Sequence, residues 1–569
     1  MACGKAPNYQ FKHSKLGDIV GLARGPNSEV VQFRGIPFGS IPARFRQSVV
    51  VKQLPSQPFD ARRPGPICPQ RGHPYPAYWK GPPPAGQPCL PPPMEDEFGC
   101  LNLNITAPRI AMEQRQEVPV MVFLHGGAFI GGSQSDQVAG REIYDGTDLV
   151  KSSVNRNQPM IVVTINYRLG ALGFLASEEL AGESRRNGEP VGNYGLHDQR
   201  HAFEWVNKFI GGFGGDPGRV TLSGTSAGAS AAHYLTTFPD RHFQNAILAS
   251  GTMVGIGSRP LSWHQAKFDL LRDKLAPDSS DPVGALRTIP VDDLLDAMFV
   301  NVYNPLADDV WICGGNMEAV LARLDDQQPP ALMMGATEYE RDLAMYILSD
   351  VTKPPPHVPK TDDEMLICAY ELFSTSAMVP RNILEDFPFS APAVAESYGL
   401  DGEQSPSNSF ANWADLIADI TWRTPPLHVA STMKEHRERI GLENAPPILV
   451  YEIAATNPYR DSPPTYKRAN HAINDVMLFN PAEDQVPPEH LSDWKGAVGQ
   501  IQGAWLNFCY GEAPWEPFDG VKGPDADGFG PVFVFQDGPR GKLCRSLAEV
   551  DRFQTAVRWR ALLEVAKDE

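Results

Sequence analysis

A serine set between glycines carries the strongest chemical signal in this chain. Gly224-Thr225-Ser226-Ala227-Gly228 follows the apolar run Val220–Ser223 and opens the small-residue helical pattern Ser226–Thr236. A serine on a sharp strand-to-helix turn takes strained backbone angles and needs glycines on either side, where a Cβ would clash. The turn lifts the hydroxyl above the sheet edge and aims a helix N-terminus at it. That is the setting of a nucleophile for acyl transfer. The five-residue spacing alone is a weak sign, and the strand and helix around it give it weight against a serine that merely caps a loop. A hydroxyl attacking an ester creates a tetrahedral oxyanion, which needs fixed N–H donors, each contributing about 10²–10³ in rate. His125-Gly126-Gly127-Ala128-Phe129 follows the apolar run Val120–Leu124. Its consecutive small residues let backbone amides turn into a pocket, so Gly127, Ala128 and Ala227 are the expected donors. His125 reads as structural, because it precedes any acid in the chain.

A serine nucleophile of this kind is followed in chain order by an acid and then a histidine. The segment Leu332-Met333-Met334-Gly335-Ala336-Thr337-Glu338-Tyr339-Glu340 puts two carboxylates, Glu338 and Glu340, just past a strand. Five histidines follow. His357 sits in a proline-rich joint, His428 and His436 on helical patterns, and His490 on a polar loop; His471 lies in Asn470-His471-Ala472-Ile473-Asn474-Asp475.

The elements that must hold these groups are short apolar runs bounded by turn residues. Val120–Leu124, Ile161–Ile165, Val220–Ser223, Ala246–Ser250, Ala331–Met334, Ile448–Ile453 and Pro531–Phe535 lack the polar alternation of a half-exposed sheet. Strands buried on both faces belong to a parallel sheet covered by helices. Helical patterns lie between them, as in His197–Ile210 with Phe203, Val206 and Ile210 on one face, so a doubly wound α/β architecture is expected. Two intervals, 252–329 and 346–446, exceed a minimal α/β unit. They read as helix-rich insertions in one domain spanning 1–569, placed to roof the site and set its specificity.

Composition narrows the function. The net charge of −18 argues against a nucleic-acid partner, which would require clustered lysine and arginine. No run approaches the ~20 apolar residues of a membrane span. The eight cysteines are scattered without a C-x-x-C pair, so no metal site is expected. The first fifteen residues lack an apolar core, so the chain reads as cytoplasmic, or as secreted with a leader removed.

Taken together the motifs resemble those of the type-B carboxylesterase/lipase family, which includes the cholinesterases. Phe33-Arg34-Gly35-Ile36-Pro37-Phe38, Cys100-Leu101-Asn102-Leu103-Asn104-Ile105, Asn166-Tyr167-Arg168-Leu169, Gly192–Gln199 and the run from Phe213-Gly214-Gly215-Asp216-Pro217 into Gly224–Gly228 are similar to its signatures. The resemblance implies an α/β-hydrolase fold: a mostly parallel central sheet, helices on both faces and large helical insertions over the site. It implies a Ser–Glu–His triad without a cofactor, and hence an acyl-enzyme; a small to medium neutral ester is the expected substrate, because Trp79 is off the spacing of the cholinesterase tryptophan and Thr225 replaces the family's acid. The family offset from Gly335 selects Glu340 over Glu338, and the family's histidine loop selects His471. A lipase or an acyltransferase with the same triad, and a non-catalytic recognition protein on the same fold, are the alternatives. Three departures bear on substrate rather than chemistry. Thr225 stands where the family usually has Glu, Arg341 where it has Gly after the acid, and Asn470 and Ala472 flank the histidine. The flanks of Cys68 and Cys100 match the family's first disulfide, closing a loop with Tyr75, Tyr78 and Trp79 that is expected to wall the gorge. A cytoplasmic setting would instead keep both thiols reduced, and both redox states stand open at this point.

Overall fold

In a computed structural model, residues 6–71, 90–138, 140–297, 303–312, 320, 329–348, 392–400, 406–442, 444–461, 465–520, 528–546 and 558 are described. The proposed gorge residues Tyr75, Tyr78 and Trp79 lie outside them.

Twelve strands run across one sheet: β1 (Asn8–His13), β2 (Gly17–Arg24), β3 (Val30–Pro37), β4 (Asn102–Pro108), β5 (Val118–Leu124), β6 (Ile161–Ile165), β7 (Gly215–Thr225), β8 (Asn245–Ala249), β9 (Ala331–Thr337), β10 (Ile448–Ile453), β11 (Gly528–Phe535) and β12 (Lys542–Ser546). Their order is β1-β2-β3-β4-β6-β5-β7-β8-β9-β10-β11-β12, with the two-residue strand Phe59–Asp60 beside β2. Every neighbouring pair from β6 to β11 is parallel. The strands at either end are antiparallel. All seven strands expected from apolar runs are present, and the sheet is the mostly parallel one of the α/β-hydrolase fold.

Alternation along β5 shows why its residues are uniformly apolar. Val120, Val122 and Leu124 enter one core, while Met121 and Phe123 enter a second core on the opposite face. Each face of the sheet is therefore a separate hydrophobic layer covered by helices, and a polar residue on either face would be buried.

The helices that bear on the site are α1 (Tyr194–Phe209), α2 (Ala227–Thr236), α3 (Arg341–Leu348), α4 (Pro406–Ala418), α5 (Pro425–Arg439), α6 (Ile473–Phe479) and α7 (Leu491–Cys509). All ten residues of α2 are buried, and its small side chains explain how it lies so close to the sheet. The interval 252–329 holds helices at Leu261–Leu275, Pro282–Thr288 and Val291–Ala297; the interval 346–446 holds Pro392–Tyr398, α4 and α5.

The loops bearing the candidate site leave the C-terminal ends of adjacent parallel strands. Gly224 is in register with Leu124, Thr225 with Ala249, and Ala249 with Gly335. Ligands of open α/β sheets bind outside these carboxyl ends, so the topology gathers residues far apart in sequence onto one edge.

Candidate active site

Ser226 joins β7 to α2 with φ 58° and ψ −126°. A non-glycine residue in this region is strained and persists only where its surroundings enforce it. They do so here from three sides. The Ser226 amide donates to the Ala249 carbonyl at 2.8 Å. A Cβ on Gly228 would come within 2.3 Å of the Leu124 oxygen and 2.6 Å of the His125 oxygen, and one on Gly224 within 2.5 Å of the Gly228 oxygen. The two flanking glycines are thus required by close backbone approach, as their spacing suggested.

The loop after β5 lies against this elbow. A Cβ on Gly126 would sit 3.0 Å from both Ser226 Cβ and the Thr225 oxygen. Three successive residues, Gly127, Ala128 and Phe129, take positive φ of 113°, 53° and 61°. The loop is pinned by Ile130 and Gly131 amides donating to the Gly127 carbonyl, each at 3.0 Å, and by the Gly170 amide donating to Phe129 at 2.7 Å. Gly132 donates to Gln70 Oε1 at 2.7 Å. Among the described residues, the Gly127 and Ala128 amides donate to none of these anchors. Ala227 opens α2, so its amide has no intrahelical acceptor. The three amides expected as oxyanion donors therefore flank the elbow. His125 does not share their role. Its ring stacks on Tyr167 at 4.5 Å, its Nδ1 donates to the Gly126 carbonyl at 2.8 Å, and burial pushes its pKa down to about 4, leaving it neutral.

Glu340 and His471 meet in a fully buried pair, with His471 Nδ1 donating to Glu340 Oε2 at 2.5 Å. The other carboxylate oxygen accepts from the Thr337 amide at 3.2 Å and the Thr337 hydroxyl at 2.7 Å. Burial pushes the Glu340 carboxyl up, but the facing His471 and the Thr337 and Ser250 hydroxyls outweigh it and hold the pKa below the ordinary value. Glu338, half-buried two residues earlier, is not the carboxylate on His471; its backbone carbonyl accepts from Arg423 at 3.3 Å. An ionised carboxylate on Nδ1–H leaves Nε2 as the basic nitrogen of the ring.

Sequence reasoning missed the device that brings Glu340 and His471 together. Tyr339 and Asn470 form an isolated parallel bridge, and the Tyr339 amide donates to the Ala469 carbonyl at 3.0 Å. The bridge stands one residue ahead of both Glu340 and His471. Trp422 was also missed. It lies on a π-helical turn, Asp419–Arg423, and packs its ring 5.2 Å from that of His471. The only available signal was an aromatic residue in an insertion expected to roof the site. The other late histidines lie elsewhere: burial lowers the pKa of His428 to about 4, His436 Nδ1 pairs with Arg439, and His490 meets Tyr466. His357 is outside the described residues.

Cys68 and Cys100 are both buried free thiols. Each thiol donates to a backbone carbonyl, Pro69 at 3.8 Å and Glu97 at 3.5 Å. Contact with the Cys68 thiol, together with burial, raises the Cys100 pKa well above the ordinary value. The Cys100 thiol thus lies against Cys68, and both are free in this structure. Cys68 Sγ also accepts from the Leu169 amide at 3.4 Å, which ties this corner to the Asn166–Leu169 motif. Among the described residues, no group of His, Cys, Asp or Glu is arranged to hold a metal ion, and no helix is long and apolar enough to cross a membrane.

A family model described as the carboxylesterase family matches residues 10–521. The chain belongs to this family. Lipase 3 of Yarrowia lipolytica (strain CLIB 122 / E 150) is 27% identical over 546 residues, covering 94% of this chain and 93% of the relative. Acetylcholinesterase of Electrophorus electricus is 34% identical over 301 residues, 50% of this chain and 42% of that one. Among solved structures, a thermophilic PNB esterase superposes with a TM-score of 0.69 at 22% identity, over 96% of this chain and 100% of the other, which shows the shared fold. This carboxylesterase is accordingly a carboxylic ester hydrolase. The elbow, the amide loop and the buried Glu–His pair all lie on the sheet edge where its fold admits ligands.

Proposed function

We propose that this carboxylesterase cleaves small to medium neutral esters through an acyl-enzyme on Ser226. The observation that carries the reading is the buried Glu340–His471 pair held on the same sheet edge as the strained Ser226 elbow. His471 takes the Ser226 proton as the hydroxyl oxygen attacks the ester carbonyl. The oxyanion that forms accepts from the Gly127, Ala128 and Ala227 amides. His471 then returns the proton to the departing alcohol, leaving the acyl group on Ser226. Water, deprotonated by the same nitrogen, attacks the acyl-enzyme, and His471 passes that proton to Ser226 Oγ as the acid is released. Glu340 stays ionised throughout, holds the ring in one tautomer and stabilises the imidazolium. The depressed Glu340 pKa fits a carboxylate that remains charged in this role.

Thr225 in place of the family's usual acid removes a negative charge beside the nucleophile, which favours uncharged esters over choline esters. An organophosphonate tests the mechanism and a paired substrate series tests the specificity. Labelling at Ser226 supports the first, and labelling at another residue refutes it. A kcat/KM for a choline ester above that of its uncharged isostere refutes the second. The relative from Yarrowia bears the name of a lipase along nearly its whole length. That favours longer acyl chains as a second reading, and nitrophenyl esters of increasing chain length, followed by an emulsified triglyceride, separate the two.

A further inference from the structure

Behind the nucleophile elbow lies a closed polar cluster that the Ser–His–Glu chemistry leaves unused. The Thr225 hydroxyl donates to Asp475 Oδ1 at 2.5 Å. Asn474 Nδ2 donates to the same carboxylate oxygen at 2.8 Å and to Thr225 Oγ1 at 3.3 Å. The Tyr144 hydroxyl donates to Asp475 Oδ2 at 3.3 Å. All four side chains are buried. A buried carboxylate in an esterase core is costly unless its oxygens are satisfied, and here both are.

Chain positions give the cluster its meaning. Thr225 immediately precedes Ser226. Asn474 and Asp475 follow His471 by three and four residues, in the first turn of α6. In this turn Ala472 takes φ 60° and its carbonyl accepts from the Asp475 amide at 3.0 Å. The cluster is therefore a short side-chain link between the strand end that carries Ser226 and the loop that carries His471. The Tyr339–Asn470 bridge performs the matching task for Glu340 and His471, but it does not reach β7.

We propose that Asp475 is a positioning residue, which accepts the Thr225 hydroxyl and thereby sets Ser226 in register with His471. The inference rests on the functional reading above, in which those two residues exchange a proton. A proton transfer of this kind is sensitive to sub-ångström displacement, while binding of the ester is not. The expected signature is a loss in kcat with KM preserved. Asp475 also faces Tyr144, Tyr451 and His471, and its charge interacts with all three.

The test uses two variants of Thr225 with opposite virtues. Thr225→Val keeps the branched shape and removes the hydroxyl; Thr225→Ser keeps the hydroxyl and removes a methyl group. Loss of this buried hydrogen bond is expected to cost Thr225→Val about 10–100-fold in kcat at unchanged KM. Thr225→Ser should retain kcat within about fivefold, and Asp475→Leu should match Thr225→Val. Rates are expressed per site titrated by an organophosphonate, so a partly unfolded preparation does not mimic the effect. The reverse ranking, with valine more active than serine, would overturn the proposal and leave Thr225 as a packing residue. A KM that rises while kcat holds would overturn it as well. Failure of the organophosphonate to label Ser226 would instead defeat the underlying mechanism, so the two failures are distinguishable.

Discussion

The two sides of the site are built from different materials. On the sheet side, Ser226 and the 125–129 loop are fixed by backbone hydrogen bonds and by glycines whose neighbours leave no room for a Cβ. On the roof side, the insertion is held by long charged side chains. Arg341 pairs with Asp415 of α4, Arg423 with Asp419 at 2.5 Å, and the Tyr398 hydroxyl donates to Asp419 at 2.6 Å. Arg558 adds a guanidinium 3.5 Å from Asp415. Close backbone approach fixes the elbow, whereas charge pairing between side chains, much of it buried, fixes the roof. The nucleophile elbow is thus held by backbone geometry, and the covering of the site by side-chain charge.

Breaking the sheet side should cost activity with little change in stability. Ser226→Ala is expected to lower kcat on an activated nitrophenyl ester by roughly 10⁶, with an unchanged unfolding midpoint. Next in size, Glu340→Gln and His471→Ala should each lower kcat by about 10⁴. Glu338→Gln should fall far short of that, and a ranking of the two glutamate variants in the other order would transfer the acid's role to Glu338.

Breaking the roof side should do the opposite. Arg423 and Asp419 are nearly inaccessible, at 8% and 0% side-chain exposure. Removing one member of a buried pair leaves an uncompensated charge, so Arg423→Met is expected to cost about 3 kcal/mol in urea unfolding. Its kcat should drop by less than about tenfold. A larger loss in kcat than in stability would show that the roof, through Trp422 on His471, holds the base as firmly as the sheet does.

A last expected effect concerns pH. Burial pushes the carboxyls of both Asp136 and Asp475 up to about 7. Such a group binds a proton more tightly folded than unfolded. Its contribution to stability is complete below the unfolded carboxylate pKa and is lost as pH rises through about 7. Glu340 runs the other way, since its lowered pKa gives a contribution present above the ordinary value and lost in acid. Comparing Asp136→Asn with the parent isolates the first effect: the parent should lose stability relative to the variant between about pH 4 and pH 7. A difference that stays flat with pH would remove Asp136 from the account.

Much of the sheet was legible because both of its faces are buried. That condition turns β5, β6, β9 and β10 into plain apolar runs, and the structure extends them by only a few residues. The antiparallel strands β1 to β4 were not read as strands. In β3 the register shifts between Phe33 and Ile36, which breaks the period-two pattern that would reveal it. The nucleophile and the amide loop were legible from local glycine chemistry. The preference for Glu340 and His471 came from family motifs, since nothing local separates Glu338 from Glu340. Thr225 on Asp475 and Tyr339 beside Asn470 were illegible for a different reason: each joins segments more than a hundred residues apart, and no local pattern encodes such a meeting.

The bridge between Tyr339 and Asn470 has a consequence for how this enzyme can be altered. It closes the long excursion that leaves the sheet after Thr337, rejoins it at β10 and ends at His471, and it does so immediately ahead of Glu340 and His471. Whatever chain lies between, its two ends are clasped before the acid and base are placed. The excursion therefore behaves as a cassette held by a buckle. The part of it that lies in the insertion, outside β10, can be exchanged, lengthened or shortened to suit a new ester, while a single insertion between the buckle and either Glu340 or His471 would turn one side chain away from the other.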